Sequence, residues 1–142
     1  MNENKAVMSE ELAEGEFDRW AEEIGLEVED ENRAENDATV FANGKKLFIR
    51  AMVKGNAVIN EDGNLVYTVS KKSQEGYAGT DIEISVPPPR SFIATGKKDS
   101  GGMQRVLSVA SGMTGKDTGW FMNLGLPDFK FFIGIAGLFL ID

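Results

Sequence analysis

The chain has 142 residues, 42% of them hydrophobic, which is enough for one folded domain. It holds no cysteine and no histidine. That excludes a disulfide, a thiolate nucleophile, a Cys/His zinc site, a His- or Cys-ligated haem and a Ser-His-Asp triad. Fifteen Lys and Arg stand against 23 Asp and Glu, for a net charge of −8, and 14 of the acids fall in residues 1–37 beside only Lys5, Arg19 and Arg33. An acidic arm on a near-neutral body opposes nonspecific nucleic-acid binding, which needs a basic face to displace counterions from phosphates.

The first fifteen residues lack the apolar core of a secretory signal. With the missing cysteines, this predicts a cytoplasmic location. Ser9 suits an N-cap, and Glu10, Glu11 and Glu14 suit the positive end of a helix dipole. Ala13, Phe17, Trp20, Ala21 and Ile24 then repeat at helical spacing, with Gly25 as a C-cap. Phe17 and Trp20 read as anchors of this helix to the body, with a partner surface as the alternative. Glu27 to Asp37 is polar and reads as a linker. A second helix follows from Ala38, capped by Asn36 or Asp37. Its stripe is Val40, Phe41, Gly44, Leu47, Phe48, Ala51 and Met52, and Gly55 ends it. Lys45, Lys46, Arg50 and Lys54 fall on its solvent side.

Ala57-Val58-Ile59 and Leu65 to Val69 flank an Asp62-Gly63 turn, the signature of a β-hairpin. Ser70 to Gly79 is a connection. Ile82 to Val86 alternates as a half-buried strand and stops at Pro87-Pro88-Pro89, a stiff corner into helical structure. Ser91 to Lys98 predicts a short helix. Met103, Val106, Leu107, Ala110 and Met113 predict another, ending at Gly112 or Gly115. Trp120 and Phe121 lie in a further short segment. Pro127 and Asp128 suit the first turn of a last helix that is apolar nearly all round to Leu140. At eleven residues, Phe131 to Ile141 falls short of the about 20 that a bilayer span needs. The expected fold class is α+β, mainly α-helical, with a small antiparallel hairpin plus an additional strand and a C-terminal helical cluster. The expected segments are 1–37 (acidic helix and linker), 38–72 (helix and hairpin) and 80–142 (strand, proline corner and helices).

The chemical motifs fail one by one. Gly44-Lys45, Gly96-Lys97 and Gly115-Lys116 are followed by Lys46, Lys98 and Asp117, whereas a Walker loop requires Ser or Thr there. No Gly-x-Gly-x-x-Gly follows a strand. An EF-hand placed on Asp62-Gly63 would need ligands at Val58 and Val69. Glu10-Glu11 and Glu22-Glu23 sit on an exposed acidic face, where carboxylates keep ordinary behaviour. The expectation is a non-enzyme with no cofactor and no metal, acting by contact with another protein.

The run from Ile82 to Leu140 (alternating strand, prolines, Val106 to Met113 stripe, Met113-Thr114-Gly115 stop, Trp120 to Leu124 segment, Leu126-Pro127-Asp128 and a greasy final helix) resembles the small tail assembly chaperones of tailed phages and prophages. The resemblance covers about residues 80–141. It implies a protein that coats the tape-measure protein during tail morphogenesis and then leaves, made in some members in two lengths by frameshifting. The other classes in play are a structural virion tail component and a small cytoplasmic adaptor or regulatory domain. The partner-binding candidates are Phe131, Phe132, Leu138 and Phe139, with Met113 and Trp120. The last helix suits either a partner contact or the chain's own packing, and it also allows a homo-oligomer. No contact with nucleic acid or membrane is expected.

Overall fold

The computed structural model describes residues 7–26, 33–92 and 101–141. The fold is α+β: five α-helices and a three-stranded antiparallel sheet among the described residues. Helix α1 (Glu10–Glu23) starts where Ser9 accepts a hydrogen bond from the Leu12 N–H at 3.2 Å. It buries Ala13, Phe17, Trp20 and Ala21, so the stripe read from the sequence is its inner face.

Helix α2 (Glu35–Lys54) begins earlier than expected. Ala34 occupies the cap position without a side-chain bond, and Glu35 and Asp37 lie in the first turn, so neither Asn36 nor Asp37 is the cap. Their charge against the helix dipole supplies the favourable start instead. Gly55 ends the helix in the left-handed region, at φ +85°.

Strands β1 (Ala57–Ile59), β2 (Leu65–Thr68) and β3 (Asp81–Ile84) pair in sequence order. Val58 faces Val66, and Tyr67 faces Ile82. The turn after β1 is held by Asn60, whose Oδ1 accepts from the N–H groups of Asp62 at 2.9 Å and Asn64 at 3.0 Å. Such a side-chain-held turn needs no metal. Ala57, Leu65, Tyr67, Ile82 and Ile84 turn inward. The third strand stops before Val86, which is exposed, because the Ser85 N–H leaves the ladder for the Met113 carbonyl at 2.9 Å.

A 3-10 turn (Pro89–Phe92) follows the prolines. The rest of the helix expected to Lys98 lies outside the described residues. Helix α3 (Gly101–Thr114) buries Leu107, Val109, Ala110 and Met113, but Met103 is exposed. It ends before Gly115, at φ +81°. Helix α4 (Thr118–Met122) is capped by Asp117, which accepts from the Trp120 N–H at 2.8 Å. Helix α5 (Leu126–Leu140) packs against both α2 and α3, while α1 packs on α2.

The α2–α5 contact is close because both sides lack side-chain bulk. A Cβ on Gly44 would lie 2.6 Å from Leu138 Cγ and 2.9 Å from the Gly134 carbonyl. One on Gly137 would meet Val40 at 3.0 Å. The buried apolar residues of the three expected segments join in one core. Its aromatic rings gather in two groups, one of Phe17, Phe48, Trp20 and Phe139 and one of Tyr67, Phe131, Phe132, Phe121 and Trp120. No helix among the described residues is long and apolar enough to cross a membrane.

Candidate functional site

Four of the six partner-binding candidates are enclosed. Phe131 (2% exposed), Phe132 (0%), Leu138 (1%) and Met113 (1%) are core residues. Phe131 stacks on Tyr67 with ring centres 4.0 Å apart, and Phe132 meets Tyr67, Phe121 and Trp120 at 5.2–5.8 Å. Phe139 and Trp120 are half-buried. Phe139 lies edge-on to Trp20, and Trp120 is wedged between Phe132, Phe121 and Tyr77. In the folded chain, Phe131, Phe132 and Leu138 of the last helix lie in the core, while Phe139 keeps part of its surface open. The helix's apolar face is otherwise spent on α2, α3 and the sheet.

Among the described residues, Asp128 is the charged side chain buried in the interior. It lies three residues after Gly125, the cap of α5, and is fully buried. Each carboxylate oxygen takes two hydrogen bonds. Oδ1 accepts from Tyr67 Oη at 2.5 Å and from the Ser70 N–H at 3.0 Å. Oδ2 accepts from Ser70 Oγ at 2.8 Å and Ser73 Oγ at 2.6 Å. Ser73 Oγ in turn accepts from the Gly125 N–H at 2.8 Å. One carboxylate thus binds the end of β2, the 70–73 loop and the first turn of α5. Gly125 permits the approach, because a Cβ there would run into the Lys72 carbonyl.

Burial pushes the Asp128 carboxyl up, but the hydroxyl and amide donors outweigh it and hold the group below the usual aspartate range. Burial first, and the hydrogen bond to Asp128 second, push the Tyr67 phenol far above its ordinary value. Tyr67 therefore stays a donor and Asp128 stays an ionised acceptor. A carboxylate with low proton affinity and four donors in place is poorly suited to act as a general base. The arrangement is a clamp.

No family model, no curated protein and no solved structure matches this chain. The site therefore rests on its own geometry.

From the sequence, Asp128 reads as a dipole partner and as the acid of the Leu126-Pro127-Asp128 helix start, and Tyr67, Ser70 and Ser73 carry no site signal. The available signal was a lone acid just after a proline, opening the most apolar stretch of the chain. A charge there is either a helix-start residue on the surface or a buried, fully bonded one. Its partners lie 55–61 residues away and share no local pattern with it. Among the described residues, no group of three or more acids, histidines or cysteines is placed to hold a metal.

The exposed large apolar side chains are few. Among the described residues of the C-terminal half they are Val86, Met103, Met122 and Leu126, each half or more exposed. Outside the interior, Tyr67 and Ser70 also border a cavity of about 480 Å³ between α2, the 70–73 loop and α5.

Proposed function

We propose that this chain is a tail assembly chaperone of a tailed phage or prophage, which binds the tape-measure protein in the host cytoplasm during tail morphogenesis. The observation that carries the reading is the order of elements over residues 80–141. A strand meets prolines, a helix stops at Thr114-Gly115, a short helix follows, and an acid in the first turn opens an apolar final helix. That order is the one for which the family resemblance was noted.

Contact with a long helical chain needs apolar surface that can adapt its shape. Methionine is suited to this because it is unbranched and polarisable. Met103 and Met122 are the exposed methionines of the C-terminal half, so they replace the buried phenylalanines as the contact candidates. The net charge of −8 would keep a coated complex dispersed. On this reading the protein is not an enzyme.

The test is co-expression with the tape-measure protein of the phage or prophage that carries this gene. The two should co-purify, and the long protein should stay soluble only in the presence of this one. Met103→Glu with Met122→Glu should abolish co-purification while leaving the thermal melt of the isolated chain unchanged. Failure of the wild-type pair to associate sinks the proposal. So does recovery of this chain in stoichiometric amounts from finished particles, which would make it a structural component.

A further inference from the structure

Acids outnumber bases by 23 to 15 in this chain, yet the cavity between α2 and α5 is lined by four cations and no acid. Arg50 and Lys54 come from successive turns of α2, Lys72 from the loop after β2, and Lys130 from the first turns of α5. Leu47, Ala51, Leu126 and Pro127 add apolar wall. Its about 480 Å³ falls in the size range of small-molecule sites.

The Asp128 clamp holds the 70–73 loop to α5, and α2 packs directly on α5, so the elements that carry the four cations are fixed relative to one another. Asp128 is not what they serve. Its four hydrogen bonds come from neutral donors. Nor, among the described residues, does an acid form an ion pair with them. The two ion pairs among the described residues are Arg19–Glu16 and Lys45–Glu14. A neighbouring cavity shares Arg50 and Lys54 and adds Lys45 and Lys46, but it also contains Glu10, and Lys45 there is engaged by Glu14. Among the described residues, acids therefore reach that side but not the lining of the α2–α5 cavity.

The four cations are exposed around one cavity, and an anion of charge −2 or more seated there can pair with several of them at once. Arg50 can offer a planar fork to two oxygens, while the lysines act as point charges; that combination suits phosphate oxygens. We infer that this cavity is a binding site for a small phosphate-bearing anion. The inference is independent of the tail-assembly reading, and its test involves no partner protein.

Inorganic pyrophosphate is titrated into the full chain and followed by calorimetry and by thermal melting, with sodium chloride at matched ionic strength as reference. Pyrophosphate should bind with one-to-one stoichiometry and raise Tm, while chloride should not. Lys72→Ala with Lys130→Ala should weaken binding by about tenfold or more. Lys71→Ala, beside the cavity but outside its lining, should leave binding unchanged. Three results would overturn the assignment: an equal effect of chloride, undiminished binding in the double variant, or tighter binding of citrate, of an acidic peptide or of a short single-stranded DNA than of pyrophosphate.

Discussion

Asp128→Ala removes the acceptor of four hydrogen bonds at once. Ser73 Oγ keeps the Gly125 N–H, and Ser70 Oγ keeps the Lys72 N–H, but both hydroxyl protons lose their acceptor. So do the Tyr67 phenol and the Ser70 amide. Leaving a buried donor unmet costs about 1–3 kcal/mol. Removing the charge returns several kcal/mol of desolvation, which cancels part of that loss. The net cost should be about 3–5 kcal/mol, or a Tm lower by about 10–15 °C for a domain of this size. Asp128→Asn keeps one carbonyl oxygen for Tyr67 and Ser70, and its amide can donate to the serine hydroxyls, so it should cost only about 1–2 kcal/mol.

Urea unfolding at neutral pH gives the order wild type, Asn, Ala. A pH series adds an independent check. Held below the ordinary aspartate value of 3.8, the carboxyl contributes stability that is fully present above 3.8 and is lost as the pH falls through the lower folded value. The gap between wild type and Asp128→Asn should stay level from about pH 8 to pH 5 and narrow on acidification. An Ala variant within about 0.5 kcal/mol of wild type would show that the clamp is not holding α5 to the loop.

The glycines separate two roles. Gly15 lies in α1 with open space where a Cβ would go, so Gly15→Ala should stabilise by about 0.5–1 kcal/mol. Gly44→Ala faces Leu138 and the Gly134 carbonyl and should destabilise by about 1–3 kcal/mol; paired thermal melts decide both signs. Phe139→Asp places a charge against Trp20, so it should lower Tm along with any partner binding. Loss of binding with an unchanged melt would instead make Phe139 a contact residue.

The helices and strands were legible because each buries one face. The Ala13 to Ala21 stripe and the alternation of β3 record that burial directly in residue spacing. The Asp-Gly turn was legible because positive φ at Gly63 favours one residue type. What could not be read is whatever depends on which faces meet. Gly44, Gly134 and Gly137 resemble helix weakeners until α2 and α5 are set against each other, after which they become the reason the two helices fit. Asp128 resembles an ordinary first-turn acid until the 70–73 loop closes over it.

The same logic governs the charges. Arg50 and Lys54 are visible in sequence as the solvent side of α2, but Lys130 joins them only through the packing of α5 on α2, and Lys72 through the clamp that ties its loop to α5. It also governs the last helix. A segment apolar on every side reads the same whether its cover is another protein or the rest of its own chain. Here the cover is α2, α3 and Tyr67, so the tail-assembly proposal has to place its contact on side chains outside that core, such as Met103 and Met122. The loop that secures α5 therefore also brings Lys72 beside Lys130, and loosening the clamp should weaken pyrophosphate binding even though Asp128 touches no ligand.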